Sequence, residues 1–160
     1  MKFHHELTYD APPAEVYAML SEPGFRERVC DSMRSVRYDV SIESQGEGME
    51  VTVDQTQPAH GIPSFAKKFV GDEIQIVQDE RWSNQQQATL ELAIPGKPGH
   101  LKGGITLAAN GSGTVETVTG EVKVHIPLVG GKLEGLVAQL LTNALETEQR
   151  VGGAWLAGDR

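Results

Sequence analysis

The chain is poor in cysteine and in long apolar runs, and these two absences exclude several classes of protein. Cys30 is the only cysteine among 160 residues, so no internal disulfide can form, and we predict a reducing, cytoplasmic setting. No stretch approaches the roughly 20 apolar residues that a membrane span needs. The length favours a single domain covering residues 1–160, with a core that needs no disulfide or metal.

Positive charge is also scarce. The sequence has 14 lysine and arginine residues against 22 aspartate and glutamate residues, a formal net charge of -8. Nucleic acid and anionic membranes repel such a chain, so we expect no nucleic acid partner and no stable membrane association. The Lys67-Lys68 pair is too short to reverse this and is typical of a solvated turn. No pattern predicts an oligomeric state.

Recognisable catalytic and metal-binding motifs are missing as well. The five histidines are scattered, and none has the spacing of a paired metal ligand. Gly46 and Gly48, like Gly111 and Gly113, fall in predicted hairpin turns rather than in a phosphate-binding loop. Cys30 has no nearby base at a motif spacing. We therefore expect no metal, no cofactor and no covalent mechanism.

What the sequence does have is regular alternation of apolar and polar residues. The alternation predicts a first strand over 3–9 and, from Arg34 onward, six antiparallel strands separated by turns. These six strands are expected at 36–42, 49–55, 73–82, 86–94, 101–109 and 114–126. Two short helices are predicted between the first two strands, one starting at Pro12-Pro13 and one over 25–32. The segment 58–68 breaks the rhythm, and either a short helix or a loop fits it.

The longest periodic stretch is the C-terminal one, Gly130 to Leu156. Its apolar residues recur at three- and four-residue steps, which predicts one long helix with a single apolar face. Gly152-Gly153 is expected to end or kink this helix before Trp155 can pack. A helix of this kind needs a broad apolar surface to lie against, and the predicted sheet supplies it.

Three sequence motifs link this pattern to a known fold. They are Ala11-Pro12-Pro13-Ala14-Glu15-Val16-Tyr17 before the first helix, Trp82 at the end of a central strand, and Pro127-Leu128-Val129-Gly130-Gly131-Lys132-Leu133-Glu134 before the last helix. With the element order, they resemble the α+β helix-grip fold of the START-like (SRPBCC) superfamily, most of all an uncharacterised bacterial branch of unknown function. The resemblance implies a seven-stranded curved antiparallel sheet wrapped on the C-terminal helix. It also implies a cavity between them, but no particular reaction.

Candidate ligand-binding residues are those that face the predicted cavity. Gln55, Gln78, Glu80 and Glu116 share the inward register of their strands, which suggests either a wet pocket or a ligand that hydrogen-bonds them. The alternative is that bulges turn them to solvent, or that Arg81 or Arg37 neutralises them. The candidate cavity residues are Phe25, Met33, Tyr38, Gln55, Phe65, Phe69, Gln78, Glu80, Trp82, Leu92, Ile105, Leu107, Leu136 and Leu140.

The mouth of the cavity is expected near residues 60–69. Phe65 and Phe69 are four residues apart, so a one-turn helix would place both on one side, where they cap the cavity or plug it. Phe25 and Met33 are expected on the same rim.

Three functions fit these features. The first is binding or transport of a small hydrophobic ligand, such as a lipid, an isoprenoid or a polyketide-like molecule. The second is a cyclase or aromatase of the polyketide type, with Glu80 as the general acid or base. The third, similar to the cochaperone-like members of the superfamily, is docking of another protein. We favour the non-catalytic ligand-binding protein, and no catalytic residue is assigned.

Overall fold

The computed structural model describes all 160 residues as one antiparallel sheet with four helices. The strands are β1 (Lys2–Tyr9), β2 (Arg37–Gln45), β3 (Gly48–Pro58), β4 (Glu73–Trp82), β5 (Gln87–Ala93), β6 (Gly99–Asn110) and β7 (Gly113–Val124). The helices are α1 (Pro13–Leu20), α2 (Pro23–Ser32), α3 (Ser64–Val70) and α4 (Gly130–Leu156). This confirms the predicted helix-grip fold, and the open choice over 58–68 is settled in favour of a short helix. No helix combines the length and the apolar character that crossing a membrane requires.

The strands follow one another in the order β1-β7-β6-β5-β4-β3-β2, so the first strand joins the sheet beside the last. Their register places the inward residues in rows across the sheet. Gln78 of β4 pairs with Val53 on one side and Leu92 on the other, and Leu92 pairs with Leu101. Residues paired across antiparallel strands point to the same side of the sheet. Since Val53, Leu92 and Leu101 are apolar, this side is the apolar face that the alternation predicted.

The apolar interior consists of two separate clusters. The larger one joins the sheet to α1, α2 and α4, and it includes Phe25, Trp82 and Val151. The smaller one lies at α3 and the start of α4, where Ile74 and Leu133 are buried together.

The expected break at Gly152-Gly153 is wrong, because α4 continues to Leu156. Trp155 packs edge-on against Phe25, with ring centroids 5.7 Å apart. Gly152 is buried there, and a Cβ atom on it would lie 2.6 Å from Cε1 of Tyr9 and 3.1 Å from Cε of Met19. This glycine is therefore a packing residue rather than a helix breaker.

We expect Gly152→Ala to destabilise the protein by about 1–3 kcal/mol, because the added methyl group overpacks the contact with the Tyr9 ring. Gly153 is the matched control. It is exposed, a Cβ there meets nothing within 4 Å, and Gly153→Ala should stabilise the helix by about 0.5–1 kcal/mol. Urea unfolding of the two variants measures this difference. Equal effects from both substitutions would contradict the packing role.

Candidate functional site

The middle of α4 leaves its apolar face partly open. Leu133 and Val151, near the two ends of this face, are 7% and 6% exposed. Between them Val137 and Ala144 are only half-buried, and Leu140 is 39% exposed. All five positions fall on one face at helical spacing. The apolar face is therefore closely covered near its two ends and more loosely in between, where Val137 and Leu141 still pack against the larger cluster.

The sheet shows the same incomplete burial on its inner face. Tyr38, Ile76, Gln78 and Leu92 have inward register on β2, β4 and β5, yet they are only half-buried. The helix α4 packs chiefly along β1, β7 and α2, and it covers these four inward side chains less completely. We call the half-buried surface on the middle of α4 and on the inner face of β2, β4 and β5 the groove. It is mostly apolar, with Gln78 as a polar group on its floor.

The predicted cavity residues divide into two groups. Those that are partly exposed, at the groove or its ends, are Met33, Tyr38, Phe65, Phe69, Gln78, Leu92, Leu136 and Leu140. Those that are buried are Phe25, Gln55, Glu80, Trp82, Ile105 and Leu107. The rim position expected for Phe25 is wrong, because this ring is fully buried in the larger cluster. Contact of the other residues with a ligand stays a prediction.

A buried ion pair lies below the groove. The guanidinium of Arg26, on α2, donates to both carboxylate oxygens of Glu80, from Nη1 to Oε2 at 2.7 Å and from Nη2 to Oε1 at 3.0 Å. Its Nε donates to the carbonyl oxygen of Leu20 at 2.9 Å. Arg26 is 4% exposed and Glu80 is 2% exposed. Two charges buried away from water are stable only when hydrogen bonds such as these satisfy both of them.

Glu80 also accepts hydrogen bonds from its neighbours on β4. The indole Nε1 of Trp82 donates to Oε1 at 2.8 Å, and Nε2 of Gln78 donates to Oε2. Burial alone would raise the pKa of Glu80, but Arg26 and these donors outweigh burial and lower it. Glu80 is thus a carboxylate, and Gln78 connects it to the groove.

Two further carboxyl groups lack such partners. Glu148 of α4 lies 3.9 Å from Nη1 of Arg26, and Glu116 of β7 is 1% exposed. Oε2 of Glu116 and the hydroxyl of Tyr9 are both buried without a hydrogen-bond partner. Burial, more than the neighbouring carboxylates, raises the pKa of Glu116 well above its usual range and that of Glu148 to about 7. Burial and Glu116 likewise raise the pKa of Tyr9. One arginine therefore lies near three carboxyl groups. Because the raised pKa values favour protonated Glu116 and Glu148, the net charge of the cluster stays close to zero.

Part of this cluster could be predicted from the sequence. Glu80 and Glu116 were predicted to face inward, and both do. The alternative in which Arg81 or Arg37 neutralises them is wrong. Those side chains are 78% and 66% exposed, and Arg81 lies near Glu50 while Arg37 pairs with Glu73.

Three members of the cluster were missed. Glu148 carried a usable signal, since it falls in phase with the apolar stripe of α4. Arg26 and Tyr9 carried none. Arg26 is one charged residue in a short helix with no clear apolar period, and Tyr9 is an ordinary inward residue of an alternating strand.

Comparison with known proteins identifies relatives along the whole chain. A family model described as "Protein of unknown function (DUF2505)" matches residues 4–156. Uncharacterized proteins of Mycobacterium tuberculosis and Mycobacterium bovis are 23% identical over 98% of this chain and 97% of their own length.

Solved structures show the same fold at low identity. The protein TTHA0849 from Thermus thermophilus has a TM-score of 0.67 at 18% identity, with full coverage of both chains. Norcoclaurine synthase from Thalictrum flavum has a TM-score of 0.59 at 15% identity, over 99% of this chain and 87% of that one. The di-domain ARO/CYC protein StfQ of the steffimycin biosynthetic pathway has a TM-score of 0.65 at 12% identity, over 96% of this chain and 50% of that one. These likenesses confirm the helix-grip fold.

Proposed function

The chain belongs to the family described as protein of unknown function (DUF2505), and for its function we propose that it binds a small, mostly apolar molecule in the groove. The observation that carries this proposal is the half-exposed middle of the apolar face of α4. Apolar surface left in water costs about 25 cal/mol per Å² relative to covered surface. A ligand that covers both walls of the groove recovers this free energy, and apolar sites with few polar groups are typical of small-molecule binding.

The polar groups of the groove narrow the class of ligand. Gln78 uses its amide nitrogen on Glu80, and its carbonyl oxygen accepts no hydrogen bond from another residue. The hydroxyl of Tyr38, nearer the α2 side, donates to Asp31 at 2.9 Å. We therefore propose a ligand with an apolar body and one hydrogen-bond donor, such as a hydroxyl group, positioned at the oxygen of Gln78.

Structural neighbours support a small organic ligand as the occupant. One structure of norcoclaurine synthase is a complex with dopamine and hydroxybenzaldehyde, and its fold matches this chain with a TM-score of 0.59. StfQ belongs to a biosynthetic pathway. At 16% and 12% identity these proteins share the fold, and they support a small organic molecule as the kind of ligand but not its identity.

Catalysis by Glu80 fits the geometry less well than binding. A general acid needs a proton near neutral pH, and the ion pair with Arg26 favours the carboxylate form of Glu80. A general base needs to reach its substrate, and both oxygens of Glu80 are occupied by Arg26, Trp82 and Gln78. We therefore assign Glu80 to holding α2 and Gln78 in place.

Native mass spectrometry of protein purified gently from its own host, followed by organic extraction, tests the proposal. A stoichiometric apolar molecule with a hydroxyl or similar donor supports it and identifies the ligand. An empty protein that also fails to bind lipids, quinones and aromatic polyketides would overturn it and favour the protein-docking function.

A substitution that fills the groove gives a second test. We expect Ala144→Phe to weaken binding of the neutral fluorescent probe N-phenyl-1-naphthylamine at least about tenfold, or about 1.4 kcal/mol. The reason is that the half-buried Ala144 lies on the groove side of α4, where a phenyl ring occupies the ligand volume. Ala154→Phe, at an exposed position of the same helix, is the matched control. Equal probe binding by both variants, with unchanged thermal stability, would place the probe outside the groove.

A further inference from the structure

Three segments meet at the end of the molecule that carries α3. They are residues 59–72 around α3, 94–99 between β5 and β6, and 125–133 leading into α4. Phe65, Ile94 and Val129, one from each segment, pack on the same small apolar cluster. The amide of His125 donates to the carbonyl oxygen of Pro98 at 3.0 Å. We call this surface the α3 end.

The α3 end has the opposite charge to the rest of the protein. Its three segments contain Lys67, Lys68, Lys97 and Lys132, all exposed, and Asp72 is their only acidic residue. The chain as a whole has a formal charge of -8, so its negative charge is concentrated elsewhere. The net charge alone led us to expect repulsion from anionic surfaces. That expectation treats the charge as evenly spread, which it is not.

Leu128 projects from the same surface. It is 103% exposed, and its φ of 71° lies in the left-handed region that a leucine rarely adopts. A fully exposed leucine in a strained backbone has no role in the core of this protein. Leu128 belongs to the same surface as the four lysines. A leucine placed in this way can enter the apolar boundary of a lipid layer while the lysines contact the headgroups.

We propose that the α3 end docks reversibly on an anionic lipid surface through these four lysines and Leu128. Lysines near such a surface act additively, and a single leucine adds a shallow apolar contact, so the binding is weak and salt-dependent. The role that we assign to docking, exchange of the ligand with the lipid layer, rests on the proposed function. The α3 end carries Phe65 and Phe69 beside the groove, so a docked protein would exchange an apolar ligand without releasing it into water.

Co-sedimentation with vesicles tests the docking. The probes are phosphatidylcholine vesicles with and without phosphatidylglycerol, at low and high salt. We expect binding only to the vesicles that contain phosphatidylglycerol, and loss of binding at high salt. The double variant Lys67→Glu/Lys68→Glu should bind at least about 25-fold more weakly, since each lysine contributes about fivefold. The control is Lys102→Glu, on an exposed position of β6 outside the α3 end, and it should bind like the natural protein.

Leu128→Asn tests the apolar contact separately. Asparagine tolerates a positive φ better than leucine does, so this variant should fold at least as well. We expect it to bind the phosphatidylglycerol vesicles several-fold more weakly while its thermal stability is kept, and binding equal to that of the natural protein would remove Leu128 from the contact. Equal binding to both kinds of vesicle, absence of binding, or double-variant binding equal to that of Lys102→Glu would each overturn the proposal. Binding of N-phenyl-1-naphthylamine by the same variants keeps the two proposals distinct, because failure of the groove as a ligand site would appear there and not in the vesicle assay.

Discussion

Arg26→Met should lower the free energy of unfolding by about 3–5 kcal/mol, because it leaves buried carboxyl groups without their only cation. Arg26 makes two hydrogen bonds to Glu80 and lies 3.9 Å from Glu148, and its side chain is 4% exposed. Natural domains are stable by only about 5–15 kcal/mol, so this one substitution removes a large part of the total. Urea unfolding followed by circular dichroism measures the loss.

A second variant keeps this expectation testable if Arg26→Met fails to fold. The double variant Arg26→Met/Glu80→Gln removes the orphaned charge, so it should be more stable than Arg26→Met alone. The control is Arg28→Met. Arg28 is on the same helix, is 39% exposed, and pairs with Asp159 at 3.5 Å, so we expect a change within about 1 kcal/mol. An Arg26→Met protein as stable as the Arg28→Met protein would show that the buried pair contributes nothing.

The second large effect is a loss of stability as the pH rises. The folded protein raises the pKa of Glu148 to about 7 and that of Glu116 well above its usual range. The folded state then binds protons that the unfolded chain releases above about pH 4.3. Stability from these two groups is therefore complete below that pH and is lost as the pH rises through their folded pKa values. Each unit of pKa shift corresponds to about 1.4 kcal/mol, so the shift of Glu148 to about 7 accounts by itself for a loss of about 3 kcal/mol.

Glu80 has the opposite dependence. Its pKa is lowered in the folded protein, so its contribution is present at neutral pH and is lost as the pH falls through that lowered value. The two trends together predict maximal stability in mildly acidic solution. Denaturant midpoints measured across the acid to mildly alkaline range test this, and a midpoint that increases steadily toward alkaline pH would contradict it.

Amide substitutions assign the pH dependence to individual residues. Glu148→Gln and Glu116→Gln mimic the protonated groups, so each should raise stability at alkaline pH and reduce the slope against pH. Glu146→Gln is the matched control, since Glu146 is exposed on the same helix. If Glu148→Gln and Glu146→Gln give the same pH profile, the slope comes from other groups.

Much of this fold could be predicted from the sequence, because its elements have strong local periods. Alternation placed β3 and β4 with the correct inward face, and the stripe from Leu133 onward predicted α4. The same alternation predicted that Glu80 and Glu116 face the interior. Such predictions need only the direction of each side chain relative to its own strand or helix, and this is a local property.

The sequence by itself determined the order of the elements except α3, the buried faces of the strands and of α4, and the helix-grip family of folds. The tertiary structure alone decided which charges meet: Arg26 and Glu80 are 54 residues apart, and no local period relates α2 to β4. It also decided that Gly152 packs against Tyr9 rather than ending the helix, and that the apolar face in the middle of α4 is only half-buried. The physical reason is that burial, ion pairing and open space depend on how closely separate elements approach one another, and that distance is set by the packing of the whole chain.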